Sequence, residues 1–126
     1  MILADSDVLI DALRGHDPGA TLVETLLRGP GLATTAISAF ELRSGCRRES
    51  QREAVDALLE ALTIIDFDAK AAQAAAEARL ALEATGQPIG MADYLIAGIC
   101  LSRGARLLTR NQRHFERVSG LVLEPL

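Results

Sequence analysis

The segment ILADSDVLIDALRG places Asp5, Asp7 and Asp11 close together, directly behind a short apolar run. Asp5 lies where a strand would end and a helix begin, the place where open α/β sheets present functional side chains. The same position also suits a plain turn residue. Asp7 fits an N-cap, its carboxylate accepting N–H groups of the first turn. Asp11, one turn further on, reads as a solvated face residue. In TTAISAFELRSG, Glu41 shares a helical stripe with Ile37 and Gly45 and adjoins Phe40. It reads either as a half-buried acid or as a surface Glu paired with a neighbouring Arg. In PIGMADYLIAGICL, Asp93 shares a stripe with Ala97, Cys100 and Leu101 on a helix that is apolar nearly all round. A buried carboxylate needs a partner: the free N–H groups of the helix N-terminus or a metal ion. In LLTRNQRHF, Thr109 and Asn111 follow a strand as Asp5 does, and Asn111 also suits an N-cap. His114 has no second His or Cys at ligand spacing, which argues against zinc.

Brought to one point, Asp5, Glu41 and Asp93 would repel one another and take up protons unless a cation were present. An all-oxygen donor set of this kind suits Mg²⁺ or Mn²⁺.

The elements that must position these residues follow from the pattern of the chain. Strands are expected at 2–5, 31–35, 63–67, 105–109 and 121–124. Helices are expected at 7–14, 19–28, 36–48, 51–62, 69–85, 91–103 and 111–117. The Ala-rich stretch AKAAQAAAEARLALEA is a strong helix former, ended by Gly86 and Pro88. Short apolar strands alternating with helices imply an α/β fold, a mostly parallel sheet covered on both faces.

Composition sets the outer bounds. At 126 residues the chain reads as one domain, 1–126. Net charge is −4 and aromatics are 3%, so neither a broad basic field nor a set of base-stacking rings advertises a nucleic-acid partner. Every cation but Lys70 is Arg, the side chain suited to two-toothed phosphate and carboxylate contacts. Cys46 and Cys100 lie far apart without ligand spacing and read as the reduced thiols of an intracellular, cytoplasmic protein. No signal peptide is evident at the N-terminus. The longest apolar run, YLIAGICL, is far short of the roughly 20 residues that span a bilayer.

The motifs DSDVLID, AFELRSG, GMADYLIAG and LLTRNQRHF, in this order and spacing, resemble those of PIN domains, in particular the short VapC-type toxins of bacterial toxin–antitoxin pairs. The resemblance covers the whole chain. It implies a three-layer α/β/α sandwich and a Mg²⁺- or Mn²⁺-dependent endoribonuclease. Asp5, Glu41 and Asp93 match the family's acidic metal-ligand positions. Asn111 falls where many members carry a fourth acid, and a neutral amide binds a divalent ion less well. Thr109 matches a supporting hydroxyl. Asp7 matches a position that accepts Ser, Asn or Asp, in keeping with a capping role. The implied partners are an RNA substrate and a small cognate VapB-like antitoxin, in a homodimer and a toxin–antitoxin hetero-oligomer. Arg14, Arg43, Arg47, Arg110 and Arg113 lie near the motifs and are candidates for phosphate contacts. Leu22, Leu26 and Leu27 are candidates for one wall of an antitoxin groove, or for ordinary core.

Two other readings compete. DSDVL also fits the Asp-x-Asp-x-Val signature of haloacid-dehalogenase-like phosphatases, with Asp5 as nucleophile and Asp7 as general acid. That family needs a later Lys and a Gly-Asp-x-x-x-Asp segment, and the chain offers only Lys70. A receiver domain would also need a Lys after a late strand. The second reading is a PIN-like binding module of weakened activity, which Asn111 keeps open.

Overall fold

A computed structural model describes residues 1–126. Five short strands form one sheet: β1 (Ile2–Ala4), β2 (Ala33–Thr35), β3 (Thr63–Ile65), β4 (Arg106–Leu108) and β5 (Val122–Leu123). Their order across the sheet is β3-β2-β1-β4-β5. Every pairing is parallel, so the expected "mostly parallel" sheet is wholly so. Seven helices complete the chain: α1 (Ser6–Arg14), α2 (Gly19–Arg28), α3 (Ala36–Ser44), α4 (Glu49–Ala61), α5 (Ala69–Ala84), α6 (Met91–Arg103) and α7 (Gln112–Phe115).

The strands read as continuous apolar runs because both faces are covered. Leu3, Ala33, Ile65 and Leu107 belong to a core shared with α5, α6 and α7. Their chain neighbours Ala4 and Leu108 belong to a second core with α1, α2, α3 and α4. Successive strand residues thus enter opposite cores, as the period of two demands, and the result is the expected three layers.

Helix boundaries shift where local chemistry decides them. α3 stops at Ser44, four residues earlier than expected, and α4 starts at Glu49. Between them the Gln51 side chain reaches back to accept the N–H groups of Arg47 (2.7 Å) and Arg48 (3.2 Å). That satisfies donors a new helix start would orphan. The Ala-rich composition of α5 serves close packing as well as helicity. A Cβ at Gly98 of α6 would lie 2.4 Å from the Ala71 carbonyl oxygen and 2.6 Å from the Ala75 Cβ. Only small residues allow this approach, and it fixes the helix whose first turn carries Asp93.

The chain builds outward from β1 through β2 to β3, then returns to the other side of β1 for β4 and β5. The order therefore reverses between β1 and β4. In open α/β sheets the crevice beyond the carboxyl ends at such a point is where ligands bind.

Candidate active site

Asp5 leaves the carboxyl end of β1 and Thr109 the carboxyl end of the neighbouring β4. Both are buried, Asp5 at 6% exposure and Thr109 at 0%. The Asp5 backbone N–H continues the sheet by donating to the Leu108 carbonyl (2.8 Å). Its carboxylate is held at both oxygens: Oδ1 accepts from the Ser6 N–H at 2.8 Å, Oδ2 from the Thr109 hydroxyl at 2.7 Å. The Thr109 oxygen in turn accepts the Asn111 N–H (3.0 Å). Asp5, not Asp7, is the residue that caps α1.

Asp7 lies within the first turn of α1 and performs a different task from the one expected. Its Oδ2 accepts the backbone N–H of Arg110 at 3.1 Å, with the Thr109 hydroxyl at 3.3 Å. Its Oδ1 is buried without any hydrogen-bond partner. The cap moved by two residues because the strand ends at Ala4 and Asp5 is still extended (φ −74°, ψ 158°). Asp11 is also not a solvated residue: it is buried and its Oδ2 lies 3.0 Å from Arg110 Nε.

Glu41 on α3 is half-buried, and its Oε1 accepts from the Ser6 hydroxyl at 3.2 Å. Phe40 beside it is exposed. Asp93 stands in the first turn of α6, where the helix dipole favours a carboxylate. Its Oδ2 meets the Asn111 amide nitrogen at 3.4 Å and His114 Nδ1 at 3.5 Å. Asn111 and His114 are themselves 2.9 Å apart. Asn111 does precede α7, yet its side chain makes no cap bond and is spent on Asp93 and His114.

These carboxylates sense one another. Burial above all, then the charge of Asp7, pushes Asp5 up from its ordinary value of 3.8 to about 6, with Glu41 adding to the rise and the Thr109 and Ser6 hydrogen bonds opposing it. Burial raises Asp7 too. Glu41 is raised by burial and by the charges of Asp93 and Asp7, against the Ser6 hydrogen bond. The arrangement concentrates negative charge that the Arg110 guanidinium, paired with Asp11, offsets only in part at Asp7. No three acidic, His or Cys side chains are drawn into a closed ligand cluster; the acids face one another across the crevice instead. Oxygen-only donors, one orphaned buried carboxylate oxygen and acids held above their ordinary values fit a hard divalent cation.

Of the cations near the motifs, Arg14 and Arg113 form no ion pair or hydrogen bond within the chain. Arg43 pairs with Asp56 of α4, Arg47 donates to the Ser44 and Cys46 carbonyls, and Arg110 pairs with Asp11. Leu26 is core, and Leu22 and Leu27 pack against that core. An apolar groove beside Glu41 is lined by Ile10, Leu13, Leu42 and Val55, together with Arg14 and Glu41 itself.

The model of the family described as "PIN domain" matches residues 2–121. The chain belongs to the PIN domain family. It is 32% identical to "Ribonuclease VapC2" of Rickettsia felis, over 97% of this chain and 95% of that one. It is 28% identical to the "tRNA(fMet)-specific endonuclease VapC" of Shigella flexneri, again over 97% and 95%. Among solved structures it resembles VapBC2 of Rickettsia felis bound to a promoter DNA fragment, at a TM-score of 0.89 and 32% identity over 98% of each chain. DNA-bound VapBC of Salmonella typhimurium gives 0.86 and 27%, over 98% and 96%. PIN nucleases depend on divalent metal ions in general. The phosphatase reading falls here, since the one Lys, Lys70, is exposed on α5.

Ser6 and Asp11 were missed as site residues. Ser6 bridges Asp5 and Glu41, and its only signal was its place between two Asp at a strand end. Asp11 was missed because its partner, Arg110, stands in the turn after β4, about a hundred residues on, and no local pattern joins them. No helix is long and apolar enough to cross a membrane.

Proposed function

We propose that this PIN domain is the endoribonuclease toxin of a toxin–antitoxin pair, with Asp5, Glu41 and Asp93 as the ligands of a Mg²⁺ or Mn²⁺ ion. The observation that carries the reading is the convergence of Asp5, Asp7, Glu41 and Asp93 on the β1/β4 switch point, where burial and the charge of neighbouring acids raise the proton affinities of Asp5 and Glu41. A cation seated there supplies Lewis-acid chemistry, activating water as a nucleophile and offsetting charge on the phosphoryl oxygens. The chain does the positioning. Ser6 and Thr109 fix both oxygens of Asp5, and Ser6 also orients Glu41. Asp93 is placed by the first turn of α6. Arg14 and Arg113, free of partners, are the side chains best placed to meet backbone phosphates; Arg43 and Arg110 would first have to leave Asp56 and Asp11.

The relatives named VapC ribonucleases and the VapBC complexes support the substrate and the partner. The partner is a VapB-like antitoxin. The groove of about 440 Å³ beside Glu41 has apolar walls for an amphipathic helix. A donated Arg could fork onto the carboxylates at its edge. Assembly as a homodimer within a toxin–antitoxin hetero-oligomer, and residence in the cytoplasm with the RNA substrate, belong to the same reading.

The test is to free the purified protein of any antitoxin and incubate it with total RNA and with initiator tRNA, in Mg²⁺, Mn²⁺ or EDTA. Cleavage with either ion and none with EDTA is expected. RNA left intact under all conditions would leave a binding module rather than a nuclease.

A further inference from the structure

Arg110 stands at the rim of the acid pocket and is held from two sides by one helix. Its backbone N–H donates to Asp7 Oδ2 at 3.1 Å, and its guanidinium Nε lies 3.0 Å from Asp11 Oδ2. Asp7 and Asp11 are one turn apart on α1 and so share a face. Asp11 is a firm anchor, with a side chain only 12% exposed. It is backed by Gly19 of α2, where an added Cβ would stand 3.0 Å from the Asp11 Cβ. No other cation reaches it. An exposed ion pair stabilises little, but here one member is buried and the same residue is fastened a second time through its backbone. Arg110 sits between Thr109, whose hydroxyl orients Asp5, and Asn111, whose amide meets Asp93.

We propose that Asp11 and Arg110 are a positioning pair, a latch of α1 on the turn after β4 that keeps the Thr109 hydroxyl on Asp5. The latch's catalytic consequence rests on the nuclease reading, while its geometry does not. It also gives Arg110 a task other than phosphate contact, and the two tasks differ in their kinetic signatures. If Arg110 chiefly bound phosphate, its loss would raise KM, and Asp11→Asn would release the guanidinium toward RNA and lower KM. A latch predicts that loss of either partner lowers kcat with KM little changed. The two losses would not add, because the second removes a contact already gone.

The experiment compares the full chain with Asp11→Asn, Arg110→Met, Arg110→Lys and the Asp11→Asn/Arg110→Met double variant. It measures RNA cleavage kinetics and amide hydrogen exchange at residues 109–111. Asp11→Asn and Arg110→Met should each lower kcat by about tenfold, short of the ~100-fold that a 1 Å misplacement can cost. The double variant should be no worse than either, and Arg110→Lys should recover most of the rate. The Arg110 N–H should exchange faster in Asp11→Asn. Additive losses, a raised KM at constant kcat, or unchanged exchange would overturn the proposal. Exchange needs no catalysis: if the wild-type chain cuts no RNA, the nuclease reading fails and the exchange result alone decides the latch.

Discussion

The two halves of the acid pocket are built differently. On the sheet side, Asp5 and Thr109 leave paired neighbouring strands and are buried, and the Asp5 carboxylate accepts from the Thr109 hydroxyl at 2.7 Å and the Ser6 N–H at 2.8 Å. On the helix side, Glu41, Asp93, Asn111 and His114 are all half-buried and come from α3, α6 and the turn into α7. Their bonds to the carboxylates are 3.2–3.5 Å. Strand register sets the first half to within the precision of the sheet. The second half depends on how three helices pack, and its side chains retain room to adjust. A site of this kind has one carboxylate held in place and others with room to move. The preorganised half bears the larger penalty for its charge, as the rise of Asp5 to about 6 shows.

The largest effects should come from removing that charge. Asp5→Asn is expected to lower RNA cleavage by on the order of 10³-fold, the several kcal/mol that a divalent ion contributes to such chemistry. It should also make the metal-free protein more stable. Asp5 binds its proton more tightly folded (about 6) than at its ordinary value of 3.8. Below pH 4 both folded and unfolded chains are protonated and no penalty exists. Between pH 4 and 6 the unfolded chain ionises first, so a penalty grows, reaching at most ~3 kcal/mol above pH 6. In EDTA the wild-type chain should therefore melt higher at pH 5 than at pH 7, and Asp5→Asn should flatten much of that difference. Asp7 and Glu41, also raised, preserve the direction of what remains. A mutant that melts lower than wild type at pH 7 would show that the Asp5 hydrogen bonds outweigh its desolvation.

A smaller effect separates the two halves directly. Thr109→Val keeps the shape of a fully buried residue but removes the donor to Asp5 and the acceptor of the Asn111 N–H. Leaving those buried groups unpaired should cost about 1–3 kcal/mol in urea unfolding. Asn111→Ala loses a long bond to Asp93 and a contact with the half-exposed His114 ring, both near solvent, and should stay within ~0.5 kcal/mol of wild type. Equal losses from the two would mean that the helix side is as tightly specified as the sheet side.

The same contrast explains what the sequence could and could not reveal. The sheet, the helices and the strand-end position of Asp5 follow from local pattern: α6 begins and ends at Met91 and Arg103 as its apolar run and Gly104 require. Asp5 stands out at a strand end and Asp93 at a helix start, but mid-helix Glu41 joined them only through the resemblance of the four motifs to PIN domains. The task of Asp7 was misread, since the capping preference of Asp holds for either of two candidates two residues apart, and only the end of β1 at Ala4 decides between them. Asp11 looked solvated because helical spacing does not reveal a cation delivered from β4. The α2 leucines Leu22, Leu26 and Leu27, candidates for a groove wall or for ordinary core, take the second role: Leu26 is core and the other two pack against it. An apolar groove does open where α1, α3 and α4 meet, a matter of helix packing that no single segment encodes.

The smallest effect is expected at Asn111, and it bears on how far the loose half can be improved. Asn111 carries no charge where Asp93 and Glu41 already face each other, and its amide nitrogen is directed at Asp93 and His114. Asn111→Asp adds a carboxylate to an oxygen-ligand site and should strengthen Mn²⁺ binding. The gain should stay below about tenfold, because the new charge lies between Asp93, which repels it, and His114, which can absorb it as a hydrogen-bond or ion-pair partner. Combining Asn111→Asp with His114→Gln would remove that competitor and enlarge the gain. Calorimetric titration of the metal-free proteins with Mn²⁺ distinguishes the cases without any assay of cleavage. A stepwise rise in affinity through the single and double variants would place position 111 at the ion's edge. Equal or weaker affinity in both would mean that this turn supports Asp93 and takes no part in holding the cation, leaving Asp5, Glu41 and Asp93 to do so alone.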